Sequence, residues 1–160
     1  VRTGVSMKIL LSSLFIFSFH SCASECNFNE TLLASCDFSK GGRIAVFCAS
    51  TDKSESRYFL RNDGFIELEV KFNDENKLKR WLDLGTYTTY FGFNKGIYSY
   101  VLGVPEERPD VVALFYIKRN GRLISTKKCE FNSFGEKNFK NNSIDDVLDT
   151  VVRNNGFKFP

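Results

Sequence analysis

The chain has 160 residues, with 22 basic and 19 acidic side chains, a net charge of +3 at pH 7, one histidine, and 42% hydrophobic residues. That length fits one domain, and a near balance of charge with no basic block argues against nucleic acid as a partner. Seventeen phenylalanines give a small domain a large apolar payload per side chain.

Residues 1–6 read as lying upstream of a natural start at Met7. Met7-Lys8, the apolar run Ile9–Phe19 and small residues at Ser21 and Ala23 form a secretory signal over 7–23. The run is too short for a membrane span, which needs roughly 20 apolar residues. Cleavage after Ala23 gives a soluble periplasmic or secreted product. A lipoprotein would instead begin at a lipidated Cys22, the one case in which a membrane contact is expected. Phe19-His20-Ser21 departs from the aliphatic-then-small pattern that such processing favours, so the soluble product is preferred.

Arg2, Lys8 and His20 all fall in this region, so the mature chain carries 20 basic against 19 acidic residues and no histidine. That excludes Ser-His-Asp and Cys-His catalysis and histidine-ligated zinc. Cys26, Cys36, Cys48 and Cys129 remain, an even number in an oxidising compartment, which implies two disulfides with three possible connectivities. No two of them are spaced as a metal-binding pair, so no metal is expected. No cofactor motif is present either.

A β domain is expected over 24–132. Thr31–Phe38 and Arg43–Ala49 flank Gly41-Gly42 and read as a hairpin, across which Cys36 can face Cys48. Arg57–Phe72 is the clearest hairpin, turning at Asn62-Asp63-Gly64. A three-residue loop there sets Leu60 opposite Ile66, Tyr58 opposite Leu68 and Arg57 opposite Glu69, with Gly64 in the left-handed region. Asn73–Leu84 breaks the alternation. Leu78, Trp81 and Leu82 recur at helical spacing, with Asp74 to cap and Gly85 to terminate, so a short connecting helix anchored by Trp81 is expected.

Thr86–Phe93 and Ile97–Leu102 flank Asn94-Lys95-Gly96, a loop that places Tyr90 opposite Tyr100 and Gly92 opposite Tyr98. Gly103–Asp110 is an exposed loop, stiffened by Pro105 and Pro109. Val111–Arg119 and Arg122–Cys129 flank Asn120-Gly121 and pair Ile117 with Ile124. Residues 133–160 read as a polar linker followed by a C-terminal helix, capped by Ser143, striped by Ile144, Val147, Leu148 and Val151, and ended by Gly156.

The fold expected is therefore all-β: an antiparallel meander of about eight strands, barrel or sandwich, with a short connecting helix and a C-terminal helix. Two surfaces are candidates for binding. One is the acidic loop of Glu106, Glu107 and Asp110, suited to steering toward a cationic protein. The other is a tyrosine platform of Tyr90, Tyr98 and Tyr100, suited to glycan or peptide. Glu67 and Glu69 share a strand face with Arg57 and Arg61, which makes them a charge ladder rather than a catalytic pair. Glu106, Glu107 and Asp110 match no calcium-ligand spacing. Asn29-Glu-Thr31 and Asn141-Asn-Ser143 are sequons, relevant in a eukaryotic secretory pathway.

The order Cys26…Leu-Ala-Ser-Cys36, Arg43-Ile-Ala-Val-Phe-Cys48-Ala-Ser50, Tyr58-Phe-Leu-Arg61, Ile66-Glu-Leu-Glu69, Gly96-Ile-Tyr-Ser-Tyr100 and Gly121-Arg-Leu-Ile…Cys129 resembles a group of small exported β-rich bacterial proteins of mostly unassigned role. The resemblance covers Cys26–Cys129. More loosely, the architecture is similar to periplasmic lysozyme inhibitors and to toxin-immunity proteins. Those inhibitors plug an enzyme cleft with a Ser/Gly-rich loop ending in Tyr, for which Gly85-Thr-Tyr-Thr-Thr-Tyr90 is a weak substitute, so no site residue carries over. The resemblance implies a non-enzymatic inhibitor or immunity factor whose partner is a cell-wall-active enzyme or toxin. The alternative is a glycan- or peptide-binding module.

Overall fold

The computed structural model describes residues 25–38, 42–108, 110–133 and 135–160. The expected leader, with Cys22 and His20, lies outside them. Two sheets form an open sandwich, not a closed barrel. The first contains β1 (Glu30–Asp37), β2 (Arg43–Ser50), β3 (Ser56–Asn62), β4 (Phe65–Phe72) and β10 (Phe131–Ser133), in the order β10-β1-β2-β3-β4. The second contains β5 (Leu78–Asp83), β6 (Thr88–Lys95), β7 (Tyr98–Val104), β8 (Leu114–Arg119), β9 (Arg122–Lys128) and β11 (Ile144–Val147), in the order β11-β5-β6-β7-β8-β9. A six-residue helix, α1 (Asp149–Asn154), follows.

The core lies where Phe47, Tyr58 and Phe72 of the first sheet meet Phe91, Phe93 and Phe115 of the second. Tyr58 and Phe93 approach to 4.8 Å between ring centroids, and Phe72 and Phe93 to 5.4 Å. Two disulfides cross-link the chain, one within this core and one in a smaller cluster with Val46 and Phe59. Cys26 bonds Cys48, and Cys36 bonds Cys129 across 93 residues. The expected approach of Cys36 to Cys48 does not occur, because Cys36 stands opposite Ala45 while Cys48 stands opposite Leu32.

The hairpin tips fall where expected, but their registers differ. Asp63 (φ 49°) and Gly64 (φ 85°) form a two-residue turn of the left-handed kind that matches strand twist. Arg61 then faces Ile66, a charged residue against an apolar one, where the three-residue loop would have set Leu60 opposite it. The conflict is resolved in two ways. Ile66 is left 54% exposed, and Glu67 bulges out so that Leu60 faces Leu68, Tyr58 faces Val70 in place of Leu68, and Arg57 faces Lys71 in place of Glu69. Ile124 bulges likewise, and Ile117 pairs with Ser125 instead.

The connecting helix is absent. Leu78 faces the main core and Trp81 the opposite side of the sheet, as alternation in a strand requires, while Leu82 is partly exposed. Helical spacing is overridden because β5 has a strand on each side, β6 and β11. Buried Arg80 secures it. Its guanidinium donates to Asp146 at 2.5 and 2.9 Å and to the carbonyls of Lys137 and Phe139 at 3.0 and 2.8 Å. Asn73, not Asp74, organises the preceding loop by accepting the amides of Glu75 and Asn76.

The C-terminal stripe is also divided. Ile144–Val147 pairs in parallel with β5, and only Asp149–Asn154 is helical, ended as expected by Gly156 (φ 67°). Ser143 caps no helix. It is buried, with its hydroxyl within hydrogen-bond distance of Ser56 and Asn141.

Candidate functional site

The strands β5 and β6 are joined by a four-residue turn, 84–87, closed by the Asp83–Thr88 pair. Asp83 organises it. Its carbonyl accepts the Tyr87 amide at 2.7 Å. Its carboxylate accepts the Gly85 amide at 2.8 Å and the Thr86 hydroxyl at 3.0 Å, and pairs with Arg153 of α1. Gly85 leaves room for that pairing, since a Cβ there would sit 2.8 Å from the Arg153 guanidinium. Arg153 also donates to Asp149 at 2.8 Å, and Asp149 accepts the Trp81 indole N–H at 2.9 Å. The Arg153 guanidinium holds the Asp149 carboxyl below its ordinary range. A turn tied this way to a helix and a buried Trp is held in one shape.

What the turn presents is Tyr87, 56% exposed at φ 55°. A bulky residue in the left-handed region costs conformational energy, and such residues concentrate at binding sites. Leu84 beside it is 58% exposed.

Two further segments reach the same end of the sheet. Thr89 pairs with Val104, so the loop after β7 leaves beside the turn. Because β11 runs parallel to β5, Leu148 also emerges there, 68% exposed. Between the turn and the end of β11 lies a cleft of about 440 Å³ with Leu82, Leu84, Val147 and Leu148 in its walls. Thr89 lines it as well, and the Thr89 hydroxyl is buried with no partner among the described residues. Charge surrounds this apolar centre. Arg80 and Lys140 both bind Asp146, and Arg80 above all draws its carboxyl below the ordinary range.

The acidic loop thus joins the Tyr87 turn at one end of the molecule. Its charge is partly spent internally. Glu106 pairs with Arg108, which lowers its carboxyl, whereas Glu107 and Asp110 are exposed and form no ion pair among the described residues. Pro109 lies outside those residues. Lys137 steadies the loop by donating to the Pro105 carbonyl at 3.3 Å.

The tyrosine platform is not assembled. The β6–β7 turn is Gly96-Ile97, two residues with Gly96 at φ 60°, so Phe93 faces Tyr100 and Gly103 faces Tyr90. Tyr100 stacks on Phe93 at 5.1 Å on the core side, and Tyr98 shares that side at the far end. Tyr90 lies on the outer face, stacked on Trp81 at 4.7 Å. The covering of a glycine by a tyrosine does occur, with different residues: a Cβ at Gly103 would come within 2.8 Å of the Tyr90 ring.

Cys26, Glu30 and Cys48 cluster within 4.8 Å, but their sulfurs are bonded to each other and offer no thiolate. Of the two sequons, Asn141 is structural. It is buried, and its side-chain N–H groups donate to the carbonyls of Ser50 and Glu55 at 3.1 and 3.0 Å, whereas Asn29 is exposed.

Sequence reasoning noted Gly85–Tyr90 only as a weak substitute for an inhibitor loop and missed the turn that Asp83 organises. The signal was present: Asp83 followed by Gly85 and Thr86 is the pattern of a side chain capping its own turn. Read as the end of a helix, the same glycine hid it. No family model, curated protein or solved structure matches the chain, so a functional reading rests on this geometry.

Proposed function

We infer that the protein is an exported, non-catalytic binding protein of the periplasm, an inhibitor or immunity factor that docks on an envelope-targeting enzyme. The observation that carries this reading is the end of the second sheet. There a pinned turn displays Tyr87 in a strained backbone, next to exposed Leu84 and Leu148 and an acidic loop. An apolar and aromatic centre with a charged rim is the composition of a protein-binding patch. Holding the turn in advance lowers the entropy lost on docking. Glu107 and Asp110 supply a field that draws in a cationic partner. The two disulfides suit an oxidising compartment.

The test uses purified peptidoglycan hydrolases, with initial rates measured with and without the protein. At least one enzyme is expected to be inhibited, and Tyr87→Ala is expected to weaken that inhibition about tenfold or more while leaving the circular dichroism unchanged. If every enzyme runs at full rate, or Tyr87→Ala inhibits as well as the parent, the reading is wrong.

One observation supports a second reading, a glycan-binding module. Trp81, Tyr90, Tyr116 and Phe157 line an outer cleft of about 250 Å³. Aromatic rings with polar tips suit sugar faces. Quenching or enhancement of Trp81 fluorescence by peptidoglycan fragments distinguishes the two readings.

A further inference from the structure

A third cleft, of about 200 Å³, opens between the two sheets away from the Tyr87 turn. Phe38 and Leu60 form its wall on the first sheet, and Phe115 and Ile117 on the second. Phe38 meets Phe115 edge-on at 5.1 Å at its base. Three polar residues complete the lining: Arg43, Tyr100 and Lys127. All three present hydrogen-bond donors, two carry positive charge, and no carboxylate lines the cleft among the described residues.

Each donor is placed by its strand. Lys127 stands opposite Phe115 at the open edge of the sheet and forms no ion pair among the described residues. Tyr100 faces inward between Phe93 and Ile117, and burial raises its phenol above the ordinary value, so at neutral pH it is a donor. Arg43 pairs with Glu67 at 2.8 Å, and its side chain remains 49% exposed, with donors to spare. Beneath the cleft Tyr58 packs at 6.2 Å on both Tyr100 and Phe115. Its hydroxyl is buried with no partner among the described residues, an unusual cost at the centre of a core.

An apolar pocket whose polar groups are all donors selects a ligand with acceptor oxygens at one end and hydrocarbon at the other. We propose that the cleft between Phe38, Leu60, Ile117 and Lys127 binds a small anionic amphiphile, a carboxylate on a short hydrocarbon chain. The hydrocarbon lies between Phe38, Leu60, Phe115 and Ile117, and the carboxylate meets Lys127 and the Tyr100 hydroxyl at the mouth. This site is independent of the docking end described above.

The test is calorimetric titration of the intact, disulfide-bonded protein with octanoate, and with octanol as its uncharged counterpart. Saturable binding of octanoate is expected, about tenfold or more tighter than octanol. Lys127→Gln should weaken octanoate about fivefold to tenfold and leave octanol unchanged, while Lys127→Arg retains binding. Lys127 is exposed, so the variants keep the fold, checked by circular dichroism. No saturable octanoate binding, equal affinity for octanol, or full affinity in Lys127→Gln would each overturn the proposal.

Discussion

Gly64 and Tyr87 share a backbone region and use it for opposite ends. Gly64 has φ 85°, and apart from its chain neighbours no atom of the described residues lies within 4 Å of where a Cβ would stand. Gly64→Val therefore meets backbone strain alone, and a β-branched residue at positive φ should cost at least about 1 kcal/mol. Urea denaturation measures it; an unchanged midpoint would mean that the Asp63-Gly64 turn is wrongly placed. At Tyr87 no glycine relieves the strain, and the cost is met instead by the Asp83–Arg153 tie. The demand for a left-handed residue at position 64 was legible, since Asn-Asp-Gly between alternating strands admits few turns. The demand at position 87 was not, because nothing local marks a tyrosine for positive φ.

Among the elements, those set by local chemistry were legible and those set by distant partners were not. Hairpin tips at Gly64, Gly96 and Gly121 announce themselves. The registers at Gly64 and Gly121 slipped because a bulge leaves no trace in a pattern of alternation, and Glu67 and Ile124 each shift the pairing by one, whereas at Gly96 a two-residue turn replaced the three-residue loop expected. The strand β5 was read as a helix because Leu78, Trp81 and Leu82 satisfy both periods once a strand is buried on two faces. What decides it is Arg80, whose partners Lys137, Phe139 and Asp146 lie 57 to 66 residues away. Arg80→Ala removes four hydrogen bonds, orphans two carbonyls and leaves Asp146 to Lys140. Since Asp146 is half open to water, the loss should be about 2–3 kcal/mol rather than that of a sealed pair. Chemical denaturation checks it, and a loss below about 0.5 kcal/mol would mean that the β5–β11 seam is held by packing alone. The candidate site shares this division. The acidic loop was legible as exposed and charged, but its meeting with Tyr87 and Leu148 depends on strand order.

At the scale of the molecule, acid should be its weakness. Burial alone would raise the Glu30 carboxyl, but the hydrogen bonds from Arg57 and the Asn27 amide carry it below its ordinary 4.5. Arg80 does the same for Asp146, against an ordinary 3.8, and Arg153 for Asp149. With folded values below unfolded ones, the unfolded chain takes up more protons as acid is added. The stabilisation is thus complete above the unfolded values and is lost as the pH falls through the folded ones. The melting temperature should hold near neutrality and decline between about pH 5 and pH 3. A flat profile over that interval would contradict the Arg57, Arg80 and Arg153 pairings. The Cys36–Cys129 bond has a consequence of another kind. It encloses everything between those residues in a covalent ring, and the exposed stretch of Glu106 and Glu107 lies inside it. A glutamate-specific protease that nicks this loop therefore yields two pieces that stay one molecule. They should migrate together until a reductant is added and separate afterwards, so the protein can be cut at this exposed acidic loop without being released in parts.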